Sequence, residues 1–276
     1  MIDGTALEWF RDYLHSRRQA VNVNGTLSEE APVMYGVPQG SVLGPILFTL
    51  YTSPLGNIAR QHGLEVHFYA DDTQLYVTFD PRGTTDEGDA ATRMMLCLAD
   101  IRLWMVKNFM KLNDDKTEYL IISSPNMRSK ITSKDLQVGG VSVSPSSSAR
   151  NLGVYFDNTM KMDKHISEVC QKSYFQLRSI AAIRPLLSRK AAESLIHSLI
   201  TSRLDFSNSL LAGLPAVSLN RLQAVQNAAA RLLTGLRKYD HITPVLSDLH
   251  WLPVKDRIEF KIILLTFKAI HGQAPE

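Results

Sequence analysis

The sequence predicts a mixed α/β region up to about residue 157, followed by an all-α region. Three observations carry this. Short strand-like runs before residue 157 are separated by turn dipeptides such as Asn24-Gly25 and Gly139-Gly140. Beyond it, Ile166, Val169, Cys170, Tyr174, Leu177, Ile180 and Ala181 recur at helical spacing. A chain of 276 residues, 45% hydrophobic and 21% charged, has globular composition and length for one large domain or two ordinary ones.

Ala6 to Arg17 places Leu7, Phe10, Tyr13 and Leu14 on one helical face, with Trp9 beside them. Gln19–Val23 and Ala31–Tyr35 read as strands, with Asn24-Gly25 as the turn of a hairpin-like pair. Ser41 to Gln61 reads as one helix led in by Gly40. Val66–Tyr69 and Thr73–Phe79 are strand-like, and Ala70-Asp71-Asp72 between them puts both aspartates in a tight turn. Asp80–Asp89 is a polar loop, and Ala90–Phe109 is a helix on the spacing Met94, Leu98, Ile101, Met105, Phe109.

Tyr119–Ile122 is a strand, and Leu136–Val138 and Val141–Val143 flank Gly139-Gly140 as a hairpin. Ser144–Ser148 is a loop and Asn151–Phe156 a short strand. Pro185 stops the first helix of the all-α region, Ser188 and Ser218 cap the next two, and Pro253 takes the first position of a fourth. The apolar stripes read as core, as do Trp9, Trp104 and Trp251. There is no internal repeat.

Composition excludes several classes. Two cysteines, Cys97 and Cys170, build neither a disulfide framework nor a four-cysteine zinc site, and suit a reducing compartment. The eight histidines form no His-x-x-x-His pair, and His62 and His67 read as a helix-end and a strand residue. No P-loop or dinucleotide fingerprint is present. The longest apolar run, Ser41–Leu55, is interrupted by Pro45 and Pro54 and is too short for a membrane helix. Met1-Ile2-Asp3-Gly4-Thr5 does not open a secretory signal, so nucleus or cytoplasm is expected.

Net charge is +3, unevenly spread: residues 1–149 hold 13 basic and 17 acidic residues, and residues 150–276 hold 17 and 10. The split suits a metal-bearing part joined to a part that follows a polyanion, and it also arises from solvated faces alone.

The sharpest feature is Phe68-Tyr69-Ala70-Asp71-Asp72-Thr73. Adjacent carboxylates raise each other's pKa unless a cation neutralises them, and a hard ion such as Mg²⁺ takes one or two protein carboxylates plus phosphates. A bare Asp-Asp pair is commonly a solvated turn. Strands on both sides favour the metal reading. Upstream lies Gly36-Val37-Pro38-Gln39-Gly40-Ser41-Val42-Leu43-Gly44-Pro45-Ile46-Leu47-Phe48, a Gly/Pro loop leading into a helix, where a phosphate or base edge can approach.

Together these segments resemble motifs B (Gly36–Phe48) and C (Tyr69-Ala70-Asp71-Asp72) of reverse transcriptases from non-LTR (LINE-type) retrotransposons, in particular the jockey-like group. Trp104-Met105 through Leu112-Asn113-Asp114-Asp115-Lys116-Thr117 resembles motif D, and Asn151-Leu152-Gly153-Val154-Tyr155-Phe156-Asp157 resembles motif E, the primer grip. Ser202-Arg203-Leu204-Asp205-Phe206 and Leu249-His250-Trp251-Leu252-Pro253 also fit the family, so the resemblance covers essentially the whole chain.

The resemblance implies an α/β palm of a right-hand polymerase, incomplete, over residues 1–157, and a helical thumb and C-terminal region over 158–276. It implies Mg²⁺, with Mn²⁺ as a substitute, and an RNA template, a DNA primer and deoxynucleoside triphosphates as partners. Asp71 and Asp72 would be the metal-site and catalytic carboxylates. Gln39, Gly40 and Ser41 would lie near the nascent base pair, with Tyr69 and Ala70 also binding substrate. Leu152, Gly153 and Val154 would approach the primer backbone. Lys116 is either a cation neutralising the departing pyrophosphate or an exposed turn lysine.

The family's motif A, which supplies a further metal-binding aspartate, lies upstream of the Trp9–Leu14 region and is not in this sequence. Asp3 and Asp12 do not match it, and the fingers and an endonuclease are also absent. The expectation is a truncated reverse transcriptase without independent polymerase activity, with an exposed sheet edge and poor solubility. The alternative is a non-catalytic nucleic-acid-binding remnant using the basic helices.

Overall fold

The computed structural model describes residues 3–37, 40–81, 86–132 and 135–274. Packing divides the chain into two compact units, Met1–Leu112 and Asn113–Glu276.

The first unit begins with α1 (Gly4–Leu14), which contains no buried residue. Trp9 is 51% exposed and stacks on Tyr13 at 5.3 Å, so it is not the core residue the sequence suggests. A narrow ribbon follows. β1 (Arg18–Gln19) pairs with β4 (Ala31–Pro32), and β2 (Asn22–Val23) with β3 (Thr26–Leu27), around the expected Asn24-Gly25 turn. The Asn22 carboxamide oxygen accepts from the Gly25 amide at 2.9 Å and closes that turn.

The single helix read over 41–61 is two helices, α2 (Gly44–Thr52) and α3 (Pro54–Gln61). The break falls at Ser53 because Pro54 has no N–H to continue the ladder and is suited to a new first turn. Gly63 (φ +65°) then turns the chain out of α3 into β5 (Glu65–Tyr69), which pairs antiparallel with β6 (Asp72–Tyr76). Each of these strands pairs only with the other among the described residues.

α4 (Glu87–Lys107) starts earlier than its apolar spacing suggests, because the Asp86 carboxylate caps it by accepting from the Asp89 amide at 2.8 Å. One face of α4 buries Cys97 and Ile101 against Leu55, Ala59 and Leu64, with Val66 and Leu75 of the hairpin packed alongside. From α4, Arg93 Nε donates to the His62 carbonyl at 2.9 Å, fixing the α3 end that leads into β5. The Asp71 turn is thereby held on a small core of two helices and a hairpin.

The second unit contains β7 (Tyr119–Leu120), α5 (Pro125–Arg128), β8 (Leu136–Val138), β9 (Val141–Val143), β10 (Pro145–Ser146), β11 (Ser148–Asn151) and β12 (Val154–Asp157). The β8–β9 hairpin turns at Gly139-Gly140 as expected. The stretch Ser144–Ser148 is not a free loop: β10 runs parallel to β7 and β11 begins at Ser148. The run Asn151–Phe156 is not one strand. Leu152 and Gly153 form a two-residue turn, and Asn151 faces Val154 across it.

After Asp157 the described residues hold helices and no strand. They are α6 (Asp163–Ile183), α7 (Arg189–Ile196), α8 (Ser202–Asp205), α9 (Ala216–Thr234), α10 (Thr243–Asp248) and α11 (Val254–Ile270). A π-turn over His197–Thr201 joins α7 to α8. Ser188 caps α7 by accepting from the Ala191 amide, as expected. Pro215, not Ser218, precedes α9, and Pro253 stands just outside α11 rather than in its first position.

Ile166, Leu177 and Ile180 of α6 pack with Ile196, Ile200, Leu222, Val225, Leu233 and Trp251 into one core, to which β12 contributes Val154. The Asp157 carboxylate accepts from the Thr159 hydroxyl at 2.8 Å and from the Thr159, Lys161 and Asp163 amides at 3.1, 3.0 and 3.2 Å, linking β12 to α6. No helix among the described residues is long and apolar enough to cross a membrane.

Candidate active site

The aspartate pair is split by the hairpin register. Tyr69 faces Asp72, so Asp72 is the first residue of β6 and only Ala70 and Asp71 form the turn. This corrects the reading of both aspartates as turn residues. The ladder reaches one residue further because Tyr69 and Asp72 can close a two-residue connection. Ala70 carries it at φ +54°, a backbone region L-residues rarely adopt, so strain is stored at the tip.

Asp71 lines a cavity of about 270 Å³ together with Phe48 and Thr52 of α2, Leu55 of α3, Phe68, Ala70 and Thr73 of the hairpin, and Met105, Met110 and Lys111. Asp72 does not line it, because successive strand residues point to opposite faces and Thr73 takes the cavity side. Tyr69, at 64% exposed, also stands clear of it. An exposed carboxylate and an ammonium thus flank an apolar hollow beside a strained turn.

Lys111 is the residue that sequence reasoning missed. Its only signal is its place directly after the α4 pattern. The chain turns back there through Phe109 at φ +55°, with the Met110 amide bonded to the Met105 carbonyl at 2.8 Å.

Gln39 lies outside the described residues, so its expected role has no structural description. Gly40 sits at φ +83° with open space where a Cβ would be. Ser41 follows, its hydroxyl buried without a hydrogen-bond partner, and α2 starts three residues later. Tyr51 of α2 donates to the Asn108 carbonyl at 2.9 Å and its ring lies 6.0 Å from that of Trp104, tying α2 to the end of α4.

Lys116 is exposed and ends a short 3₁₀ turn, Asp114–Lys116, in the second unit. Leu152 and Gly153 form the β11–β12 turn at φ +46° and +87°, and Val154 is buried in the helical core. Leu152 is 42% exposed at the tip.

The donors of Asp71 and Asp72 are hard oxygens, and two carboxylates are what Mg²⁺ takes from protein when phosphates complete its shell. The residue types fit such an ion. Among the described residues, no group of three or more His, Cys, Asp or Glu side chains could hold a metal.

The titrating groups with resolved shifts lie away from this turn. Burial pushes the Cys97 thiol up to about 11, with the Asp100 charge adding to it, which makes it an inert core thiol. Burial, then the Lys172 charge, lower the pKa of His165. Burial would raise Asp157, but hydrogen bonds from Thr159 and Lys161 outweigh it and hold the carboxyl below its usual range.

This hairpin with its aspartates, its preceding glycine loop and helix, and the strands that follow lie in a segment that matches a known family. Residues 2–156 match the reverse transcriptase (RNA-dependent DNA polymerase) family, and the chain belongs to it. It is homologous to the reverse transcriptases of the jockey, X-element and BS non-LTR retrotransposons. The chain is 28% identical over 258 residues to the probable RNA-directed DNA polymerase from transposon X-element of Drosophila melanogaster, covering 90% of this chain and 27% of that protein. It is 26% identical over 259 residues to the corresponding protein from transposon BS of the same species, covering 90% of this chain and 28% of that one. It is 22% identical over 267 residues to the RNA-directed DNA polymerase from mobile element jockey of Drosophila funebris, covering 94% and 28%. The chain therefore spans about 28% of the length of the curated relatives it matches.

Proposed function

We propose that this chain is the aspartate-pair part of a palm, residues 1–157, with a helical thumb, residues 158–276, of an RNA-directed DNA polymerase. Its partners are an RNA template, a DNA primer and deoxynucleoside triphosphates. The observation that carries this reading is Asp71 on a strained hairpin turn, opening onto a cavity that Lys111 also lines.

Asp71 is the group that would hold Mg²⁺ or Mn²⁺, with Asp72 supporting it from the first position of β6. Bound there, the divalent ion would supply charge neutralisation at the reacting phosphate. Gln39, Gly40 and Ser41 would border the nascent pair, where the bare Gly40 lets a base approach closely. Tyr69 and Ala70 complete the substrate contacts. Lys111, which lines the Asp71 cavity, would meet phosphate charge, and the resemblance to motif D would give Lys116 the same role. Leu152, Gly153 and Val154 would bear on the primer strand.

With only Asp71 and Asp72 at the hairpin tip among the described residues, the chain alone should be a poor polymerase, since displacement at phosphorus needs both the attacking and the leaving oxygen held. A second chain or segment supplying another carboxylate would complete it.

A Mn²⁺ titration followed by electron paramagnetic resonance tests the reading. The chain should bind Mn²⁺ when an RNA template–DNA primer hybrid and a deoxynucleoside triphosphate are present, and Asp71→Asn should abolish that binding. Binding indifferent to both Asp71→Asn and Asp72→Asn would overturn it.

A further inference from the structure

The β11–β12 turn breaks a rule of hairpins. Two-residue turns with positive φ at both positions ordinarily use Asn, Asp or Gly first, yet here the first residue is Leu152 at φ +46°, with Gly153 at +87°. A branched side chain in the left-handed region costs stability and persists only where surrounding structure imposes it. The contact that bears on this turn falls on its second residue, Gly153.

An ideal Cβ on Gly153 would stand 3.2 Å from Cε1 and 3.4 Å from Cζ of Phe206. The phenyl ring therefore lies directly against the glycine, and no other residue type fits there without moving it. Phe206 is not a core residue, being 52% exposed.

The position of Phe206 is itself fixed. It follows Asp205, the last residue of α8, and its amide donates to the Ser202 carbonyl at 3.0 Å. Arg257 of α11 grips Asp205 with two hydrogen bonds, Nε to Oδ1 at 2.7 Å and Nη2 to Oδ2. A bidentate guanidinium–carboxylate pair sets direction as well as distance.

We infer that Phe206 is a positioning residue, which holds the Leu152–Gly153 turn at one height and thereby sets where that turn meets the primer strand. The inference rests on the reading of this turn as primer-contacting. The ring acts through the turn and need not touch nucleic acid. Arg257 and Asp205 hold the ring's backbone, so the C-terminal helix α11 bears on the turn through one ion pair and one aromatic contact.

The test is binding by the full chain, read by fluorescence anisotropy, to an RNA template–DNA primer hybrid and to the same RNA strand alone. Phe206→Ala is expected to weaken hybrid binding about tenfold while leaving single-strand binding within about twofold, because only the hybrid presents a primer to the turn. Phe206→Tyr keeps the ring and should restore hybrid binding. Equal losses on both ligands, or no loss on the hybrid, would overturn the inference, as would a Tyr variant as weak as Ala.

Leu152→Asp, at the tip itself, separates the two levels of the argument. If Leu152→Asp weakens hybrid binding and Phe206→Ala does not, the turn contacts primer and Phe206 does not position it. If neither does, or if the wild-type chain does not bind the hybrid, the primer-contact reading fails and the role of Phe206 fails with it.

Discussion

Asp72 stands directly opposite Tyr69 in the β5–β6 ladder, one residue past the turn that holds Asp71. Two adjacent carboxylates therefore occupy different settings: one rides a strained turn beside a cavity, the other begins a strand and faces away.

The two aspartates should accordingly not be equivalent. Asp71→Asn is expected to weaken Mn²⁺ binding by the hybrid-bound chain at least about tenfold more than Asp72→Asn. Equal losses in the resonance titration would show that the register difference has no consequence for the metal.

Asp157 ties β12 to α6 by accepting from Thr159, Lys161 and Asp163. Asp157→Ala should destabilise the second unit by about 1 kcal/mol or more in urea unfolding, the usual effect of losing such a cap. Its carboxyl pKa is lowered in the folded chain, so its contribution is present above the unfolded value and is lost as pH falls through the folded one. Wild-type and variant curves should converge in acid. A gap that persists below both values would contradict this.

His165 is buried and its pKa is lowered, by burial first and the Lys172 charge second. The unfolded chain then takes up a proton before the folded chain does. This contribution is complete above 6.5, the ordinary histidine value, and is lost as pH drops through the lower folded value. His165→Leu should flatten the stability profile between about pH 7 and 5. A profile unchanged by the substitution would assign the slope to other groups.

The Arg257–Asp205 pair is partly buried, with side chains 20% and 33% exposed. Removing either partner should cost about 1–2 kcal/mol, between the values for exposed and fully buried pairs. In a double-mutant cycle the second substitution should add little to the first. Additive losses would mean that the two side chains act separately.

Cys97 is fully buried and its pKa is raised to about 11, so a thiol-disulfide reagent at mildly alkaline pH should not label it in the native chain. Labelling should begin only as the first unit opens in denaturant. Rapid native labelling would show that the α3–α4 core is loose.

Local chemistry made some of this structure legible and long-range pairing hid the rest. Gly139-Gly140 announces its hairpin because both residues take positive φ at no steric cost, at +58° and +88°. Leu152-Gly153 announces no hairpin, because leucine is not a residue that ordinarily takes the first place of such a turn, and the Phe206 ring that lies against Gly153 is distant in sequence. The Ser144–Ser148 stretch looked like a loop because its β10 partner, β7, pairs from about 25 residues away. Trp9 reads as core by residue type and is half exposed because α1 buries nothing. At the site, the aspartates and the glycine loop were visible as motifs. Lys111 was not, since its place on the cavity that Asp71 lines follows from the reversal at Phe109.

Primer extension on an RNA template with Mg²⁺ measures the catalytic proposal most directly, using the wild-type chain and the Asp71→Asn/Asp72→Asn variant. Each is assayed alone and mixed with a second chain carrying the upstream part of a related polymerase. The expected result is no extension by either chain alone and extension on mixing that the double variant abolishes. Extension by the wild-type chain alone would contradict the incomplete site, and extension on mixing that survives the double variant would contradict the role of the aspartate pair.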